Sequence, residues 1–355
     1  LTVTDKEALK AVIELAIEEV LRINAKRLVL DSVSALLNLL DRQTVRALLH
    51  NALLKGLKPL NVTTILIADL PYGVDVIGQG VEEFTVDAVV VLKSRIIARK
   101  INRFLEIRKM RGVKVPLTEY PLTIGEGGIR IYNYPALEVT KGFRKELIPT
   151  GIAILDEMLG GGLPRGSATL VTGPPGAGKT ILALNITVNN TKMGRKVLYV
   201  SFEEPAEQLL RCAKNLGCDM EKIKVIGVNP YAYTVIELLE KIRKLCVEEK
   251  PEIVVFDGLS TLMVALGIEE FLKFITYVIG CCRNRGVTFK GCIALNYPKE
   301  RNPIETLVDN IIVLNLVETP LGLSRRLAIF KRRGALSDTA YKVMLLDEKG
   351  KVLLR

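Results

Sequence analysis

The stretch Gly173-Pro174-Pro175-Gly176-Ala177-Gly178-Lys179-Thr180 constrains this chain more than any other, because residue types, spacing and flanks all demand one chemistry. It reads as a phosphate-binding P-loop. The apolar run Ala168 to Thr172 predicts a buried strand before it, and Lys179 opens a helical pattern through Ile181, Leu182, Leu184 and Ile186. Glycines at such a junction let backbone amides close around β- and γ-phosphate oxygens, and Lys179 adds a point charge. The Thr180 hydroxyl, at the start of the helix, is placed to ligate Mg²⁺.

At 355 residues the chain has room for two domains, each with its own core. Apolar residues make up 49% and charged residues 25%, and no uncharged apolar run approaches the roughly 18 residues of a membrane span. With no signal peptide, a soluble cytoplasmic protein is expected, although the first residue is Leu1 rather than Met, so a native beginning is not. The net charge of +11 is dispersed, with no basic tract and no interleaved aromatics. Such a field supports non-specific contact with nucleic acid but does not specify it. Gln occurs only at Gln43, Gln79 and Gln208 and Trp is absent, which points towards a thermophile. The cysteines (Cys212, Cys218, Cys246, Cys281, Cys282 and Cys292) lack paired CxxC spacing, so reduced or buried thiols are expected rather than a metal site.

Along the chain an α/β pattern with late antiparallel strands occurs twice. A helix is expected over Asp5 to Asn24, a strand from Arg27 to Asp31, a helix over Gln43 to Leu57, and strands at Thr64 to Ala68 and Ala88 to Leu92. The strand Arg27 to Asp31 matches Ile253 to Asp257 at an offset of 226 residues. Val86 to Leu92 matches Val308 to Leu314, and Lys109-Met110-Arg111-Gly112 matches Lys331-Arg332-Arg333-Gly334, both at an offset of 222. A near-constant offset implies tandem copies of one unit. Shifted back by that distance, the P-loop would fall before residue 1, so the first copy is expected to lack a nucleotide-binding half. The pattern lapses over Asn133 to Lys145, which places the domains at 1–136 and 141–355.

Asp257 closes an apolar strand, where a P-loop domain needs a second Mg²⁺ ligand. Glu203 and Glu204 follow the strand Lys196 to Ser201. They read either as acids favouring a helix start or as carboxylates that polarise the attacking water. Lys331 and Arg333 share one face of a predicted strand and need an anion opposite, such as a neighbouring subunit's γ-phosphate; the alternative is a solvated strand edge. His50, the single histidine, falls in an ordinary helical pattern.

Taken together, Thr150-Gly151-Ile152 through Leu155-Asp156, Gly160-Gly161-Gly162-Leu163-Pro164, the P-loop, Ser201-Phe202-Glu203-Glu204, the strand to Asp257 and Lys331-Arg332-Arg333-Gly334 resemble the KaiC family. The first copy is similar at Gly80-Val81-Glu82-Glu83-Phe84, Arg108 to Gly112 and Glu119-Tyr120-Pro121. The resemblance covers nearly the whole chain. It implies a RecA-like α/β fold, a parallel sheet core flanked by helices with a C-terminal antiparallel extension, duplicated in tandem. It further implies an archaeal-type ATPase that binds ATP and Mg²⁺ and assembles with itself into a hexameric ring. Glu203 and Glu204 would serve as catalytic carboxylates, with Lys179 on the phosphates and Lys331 and Arg333 reaching across the interface. Clock proteins of this family carry a Ser/Thr phosphoacceptor segment after the strand matching Cys292 to Leu295. Here Tyr297 to Thr306 offers Thr306 alone, so autokinase activity is not expected. The competing reading is a RecA/RadA-type recombinase relative in which ATP controls single-stranded DNA binding, with Lys299 and Arg301 as the basic loop.

Overall fold

Two compact units divide the chain, one formed by residues 1–93 with 104–120 and the other by 94–103 with 121–355. The computed structural model describes residues 6–34, 43–44, 47, 50–70, 85–115, 119–132, 146–295, 302–320, 322–334 and 339–355. The expected linker 133–145, the motif Gly80 to Phe84 and the residues Lys299 and Arg301 lie outside them.

In chain order the first elements are helix α1 (Lys6–Arg22), strand β1 (Arg27–Asp31) and strand β2 (Thr63–Ile67), the two strands pairing in parallel. The end of the helix expected to Leu57 is instead a π-helical turn, Asn51–Leu57, followed by a 3-10 turn at Lys58–Leu60 with Pro59 as its second residue. His50 is exposed. Strands β3 (Ala88–Ile97), β4 (Lys100–Met110), β5 (Glu119–Gly125) and β6 (Gly128–Ile131) form a sheet in that order.

The second half contains β7 (Leu147–Ile148), α2 (Ala153–Met158), β8 (Leu163–Pro164), β9 (Ala168–Gly173), α3 (Lys179–Lys192), β10 (Val197–Ser201), α4 (Ala206–Asn215) and β11 (Ile223–Gly227). After these come α5 (Val235–Glu249), β12 (Ile253–Asp257), α6 (Leu259–Leu266), α7 (Ile268–Arg285), β13 (Thr288–Ala294), the single turn α8 (Ile304–Leu307), β14 (Asn310–Thr319), β15 (Gly322–Arg332), β16 (Lys342–Leu346) and β17 (Val352–Leu354). Nine strands make one sheet in the order β11-β10-β12-β13-β9-β14-β15-β16-β17. The pairs from β11 to β14 are all parallel and those from β14 to β17 antiparallel.

Because β9, β10 and β12 are buried along their whole length, their alternate residues feed two cores. One face (Val171, Tyr199, Val255, Cys292) packs on α2, α3 and α4. The other (Leu170, Val200, Phe256, Phe289) packs on α5, α6 and α7. Phe256 anchors the second core, meeting Phe202 and Phe289 edge-on at centroid distances of 5.6 and 5.3 Å. The start of α5 is set by a capping box, in which Thr234 and Glu237 exchange side-chain and backbone hydrogen bonds. Strand β1, the counterpart of β12, is half exposed in alternation and leaves Val29 54% accessible. The difference follows from neighbours: β12 lies between two strands, whereas β1 pairs only with β2 among the described residues. No helix of the described residues is long and apolar enough to cross a membrane.

Candidate functional site

The P-loop turns from β9 into α3, and its glycines are fixed by sterics. A Cβ at Gly173 would be driven into the carbonyl oxygen of Leu314 on the neighbouring β14. Gly178, the residue before the first turn of α3, has φ +96°, in the left-handed region that favours glycine. The loop curls tightly enough for the Ala177 amide to donate to the Pro174 carbonyl at 3.2 Å. Gly178 stands at the N-cap and no side chain among the described residues caps α3, so its first amides and the positive end of its dipole are left for an anion.

Lys179 Nζ donates to the carbonyls of Gly173 (3.0 Å) and Pro174 (2.9 Å), holding the ammonium over the loop. Burial pushes its pKa below the usual lysine range, opposed by the charges of Cys292, Asp257 and Glu203. A cation so desolvated gains more from a phosphate than one in water does.

Asp257 ends β12, two strands from β9, with β13 between them. It is buried, and its Oδ2 accepts the hydroxyl of Tyr199 on β10 at 2.8 Å. Burial raises its pKa most. Hydrogen bonds from Tyr199, Thr180 and the Gly258 amide pull it down, while the charge of Glu203 raises it. Thr180 and Asp257, distant in sequence, are thus brought close enough for the hydroxyl to lower the carboxyl's pKa. Their hard oxygen donors suit Mg²⁺, which keeps several waters and takes one or two protein oxygens alongside phosphate. Among the described residues no group of three or more His, Cys, Asp or Glu is placed to hold a metal ion.

Register brings the glutamates to the same edge, since Ser201 of β10 lies opposite Asp257 of β12. The Phe202 amide donates to the Asp257 carbonyl at 2.9 Å, and the Ser201 hydroxyl accepts from the Glu204 amide at 2.8 Å. Glu203 Oε1 accepts the hydroxyl of Thr261 on α6 at 2.7 Å. It lies over Gly258, where an added Cβ would come within 2.8 Å of Glu203 Cγ. Burial raises the pKa of Glu204, reinforced by the charges of Asp257 and Glu203. One edge of the sheet therefore carries Lys179, Thr180, Asp257, Glu203 and Glu204.

Lys331 and Arg333 are elsewhere. Lys331 Nζ donates to the carbonyls of Glu305 and Val308, both at 2.8 Å, and its pKa is lowered by burial and then by Arg333. Arg333 donates to Asp309 Oδ1 at 2.9 Å, and Oδ2 of the same buried carboxylate accepts from Arg283 (2.7 Å) and the Ala168 amide (2.8 Å). Ala168 begins β9, so this cluster sits at the strand end opposite the chain's own P-loop. The first copy repeats the arrangement, Lys109 donating to the Val86 carbonyl at 2.7 Å and Arg111 to Asp87 at 3.0 Å. Recurrence of the motif thus has a local cause, the clamping of a strand start, alongside any role at a nucleotide.

The sequence reading assigned no role at the site to Tyr199, Ser201, Thr261 or Cys292, all of which contact or flank it. Tyr199 carried a usable signal: a hydroxyl inside a five-residue buried strand needs a partner, and Tyr199, Ser201 and Asp257 project from one sheet face. The Thr150–Asp156 motif forms a clasp in which Asp156 accepts from the Thr150 amide (2.6 Å) and the Gly151 amide (3.0 Å).

A family model described as "ATPase: KaiC" matches residues 2–136 and 148–354. Among curated proteins, the circadian clock oscillator protein KaiC of Acaryochloris marina is 31% identical, over 96% of this chain and 68% of its own length. The protein of the same description from Synechococcus elongatus is 30% identical over the same shares. That from Thermosynechococcus vestitus is 31% identical, again over 96% and 68%.

Proposed function

The chain belongs to the KaiC family of ATPases, and from that premise we propose that it binds ATP with Mg²⁺ at Gly173–Thr180 and hydrolyses the γ-phosphate slowly within a homo-oligomer. The observation that carries this reading is the gathering of Lys179, Thr180, Asp257, Glu203 and Glu204 on one sheet edge. Loop amides and Lys179 hold the β- and γ-phosphates and oppose their developing charge. Thr180 and Asp257 would hold Mg²⁺, which neutralises phosphate charge when bound. Glu203, fixed through one oxygen by Thr261, orients the attacking water with the other, while burial raises the proton affinity of Glu204 itself beside it.

Lys331 and Arg333 belong in the proposal as residues supplied in trans within a hexamer. Supporting this, they lie at the opposite end of β9 from their own P-loop, and Arg333 keeps 47% of its side chain exposed despite its bond to Asp309. Mixing tests it. A Lys179→Ala chain retains the finger residues and a Lys331→Ala, Arg333→Ala chain retains the P-loop, so the two inactive proteins regain turnover together if the fingers act between subunits. No recovery in mixtures of demonstrated hetero-oligomers refutes the trans role. The segment Tyr297 to Thr306 has one hydroxyl of the acceptor type, and clock-type autophosphorylation is not part of the proposal.

A further inference from the structure

At the edge of the sheet away from the P-loop, where Pro251 leads into β12 and Val287 into β13, a cavity of about 460 Å³ opens between α5 and α7. Its apolar wall comes from Leu239, Ile242 and Cys246 on α5 and Val278, Cys281 and Cys282 on α7. Three of these six are cysteines, small side chains where leucines would close the space between two packed helices. The volume falls in the range of small-molecule sites, about 300–1,000 Å³.

The charged part of the lining is mostly cationic. Arg165, Arg243, Lys250 and Arg285 line the cavity with Glu252 as its acid. Arg165 is engaged by Glu146 (3.0 Å) and Glu252 (3.3 Å), and Arg243 by Glu240 (2.8 Å). The acids next to Lys250 in sequence are occupied as well, Glu248 by Lys244 at 3.9 Å and Glu249 by Lys224 at 3.7 Å. Among the described residues neither Lys250 nor Arg285 has an ion pair. Nor is Arg285 needed to close its helix, because the Gly286 and Val287 amides already satisfy the carbonyls of Arg283 and Cys282, at 3.0 and 2.8 Å. Its guanidinium reaches the cavity wall, drawing the thiols of Cys246 and Cys282 down against the burial that pushes them up. Two unpaired cations over an apolar cup are complementary to a molecule with an apolar body and an anionic head.

We infer that this cavity is a second binding site, separate from the P-loop, for a small amphipathic anion whose apolar body lies between α5 and α7 and whose carboxylate, sulfonate or phosphate meets Arg285 and Lys250. The test uses the full chain, saturated with ATP and Mg²⁺ to cover the P-loop, and two probes of one shape. 8-Anilinonaphthalene-1-sulfonate carries the anion, and N-phenyl-1-naphthylamine lacks it. The expected result is saturable one-to-one binding of the sulfonate, weakened about tenfold or more in an Arg285→Gln, Lys250→Gln variant that binds the neutral amine within about twofold of the original. A Cys281→Phe variant, which fills the cup, loses both probes while its ATP turnover and thermal midpoint show that it folds. Bound sulfonate also slows alkylation of Cys246 and Cys281 by N-ethylmaleimide, read residue by residue by mass spectrometry. Absence of saturable one-to-one binding, binding that survives Cys281→Phe, or sulfonate affinity unchanged in the charge variant overturns the inference.

Discussion

Replacing Tyr199 by Phe isolates one hydrogen bond at the centre of the site. The tyrosine is fully buried, and its hydroxyl donates to Asp257 Oδ2 at 2.8 Å, so the substitution removes an oxygen and leaves the ring in place. Asp257 keeps the Thr180 hydroxyl and the Gly258 amide. A hydrogen bond to a charged acceptor contributes about 1.5–3 kcal/mol, and one between neutral groups about 0.5–1.5 kcal/mol. The sign with pH follows from burial. Because the folded pKa of Asp257 lies above its ordinary 3.8, the native state holds the extra proton between those two values, and stability falls as pH rises through that window. The tyrosine opposes the shift, and without it the folded pKa climbs further. The deficit of the variant is therefore smallest near pH 4 and grows to about 1.5–3 kcal/mol above the folded pKa. Urea unfolding at about pH 4.5 and pH 8, with EDTA to keep divalent cations from the carboxylate, measures both. A deficit below about 0.5 kcal/mol at pH 8, or an equal deficit at the two pH values, would falsify the view that Tyr199 supports a charged Asp257.

Lys290, on β13, is buried with no hydrogen-bond partner for Nζ among the described residues, and its pKa is lowered to about 7. The native state sheds this proton first, so stability rises between about pH 7 and 10.5, by up to roughly 5 kcal/mol. A Lys290→Met variant flattens that rise and is the more stable protein at pH 6; unfolding curves across pH check both. Asp309→Ala removes a buried carboxylate that accepts from Arg283, Arg333 and the Ala168 amide, and costs about 3–5 kcal/mol by chemical denaturation. The matching Asp87→Ala, whose pair with Arg111 is 65% and 56% exposed, costs at most about 1 kcal/mol. Gly173→Ala forces β14 away from the loop and abolishes nucleotide binding, measured by fluorescent ATP analogue titration.

What could be read from sequence was whatever a single local rule specifies. The P-loop, the strands to Ser201 and Asp257, and the tandem offset each follow from residue type and spacing, and the repeat extends to individual bonds such as Arg111 to Asp87 and Arg333 to Asp309. Elements that mix polar residues into a buried setting were harder. Strand β13 begins at Thr288, four residues before the expected Cys292, because Lys290 and Gly291 interrupt the apolar run although both are buried. Helix α6 was not anticipated, since eight largely apolar residues carry no amphipathic period. Thr261 reaches Glu203 only through the tertiary placement of that helix. The acceptors that hold Lys331 come from Glu305 and Val308, and no strand-pairing rule names backbone carbonyls as partners of a side chain.

Measuring ATP turnover and native mass together in the presence of Mg²⁺ and ATP, for the chain and for Lys179→Ala, decides whether an oligomeric ATPase is built on this P-loop. Turnover accompanied by the mass of six copies, with turnover reduced at least about a hundredfold in the variant, is the predicted result. Turnover that persists in Lys179→Ala, or full activity from a monomer, contradicts it.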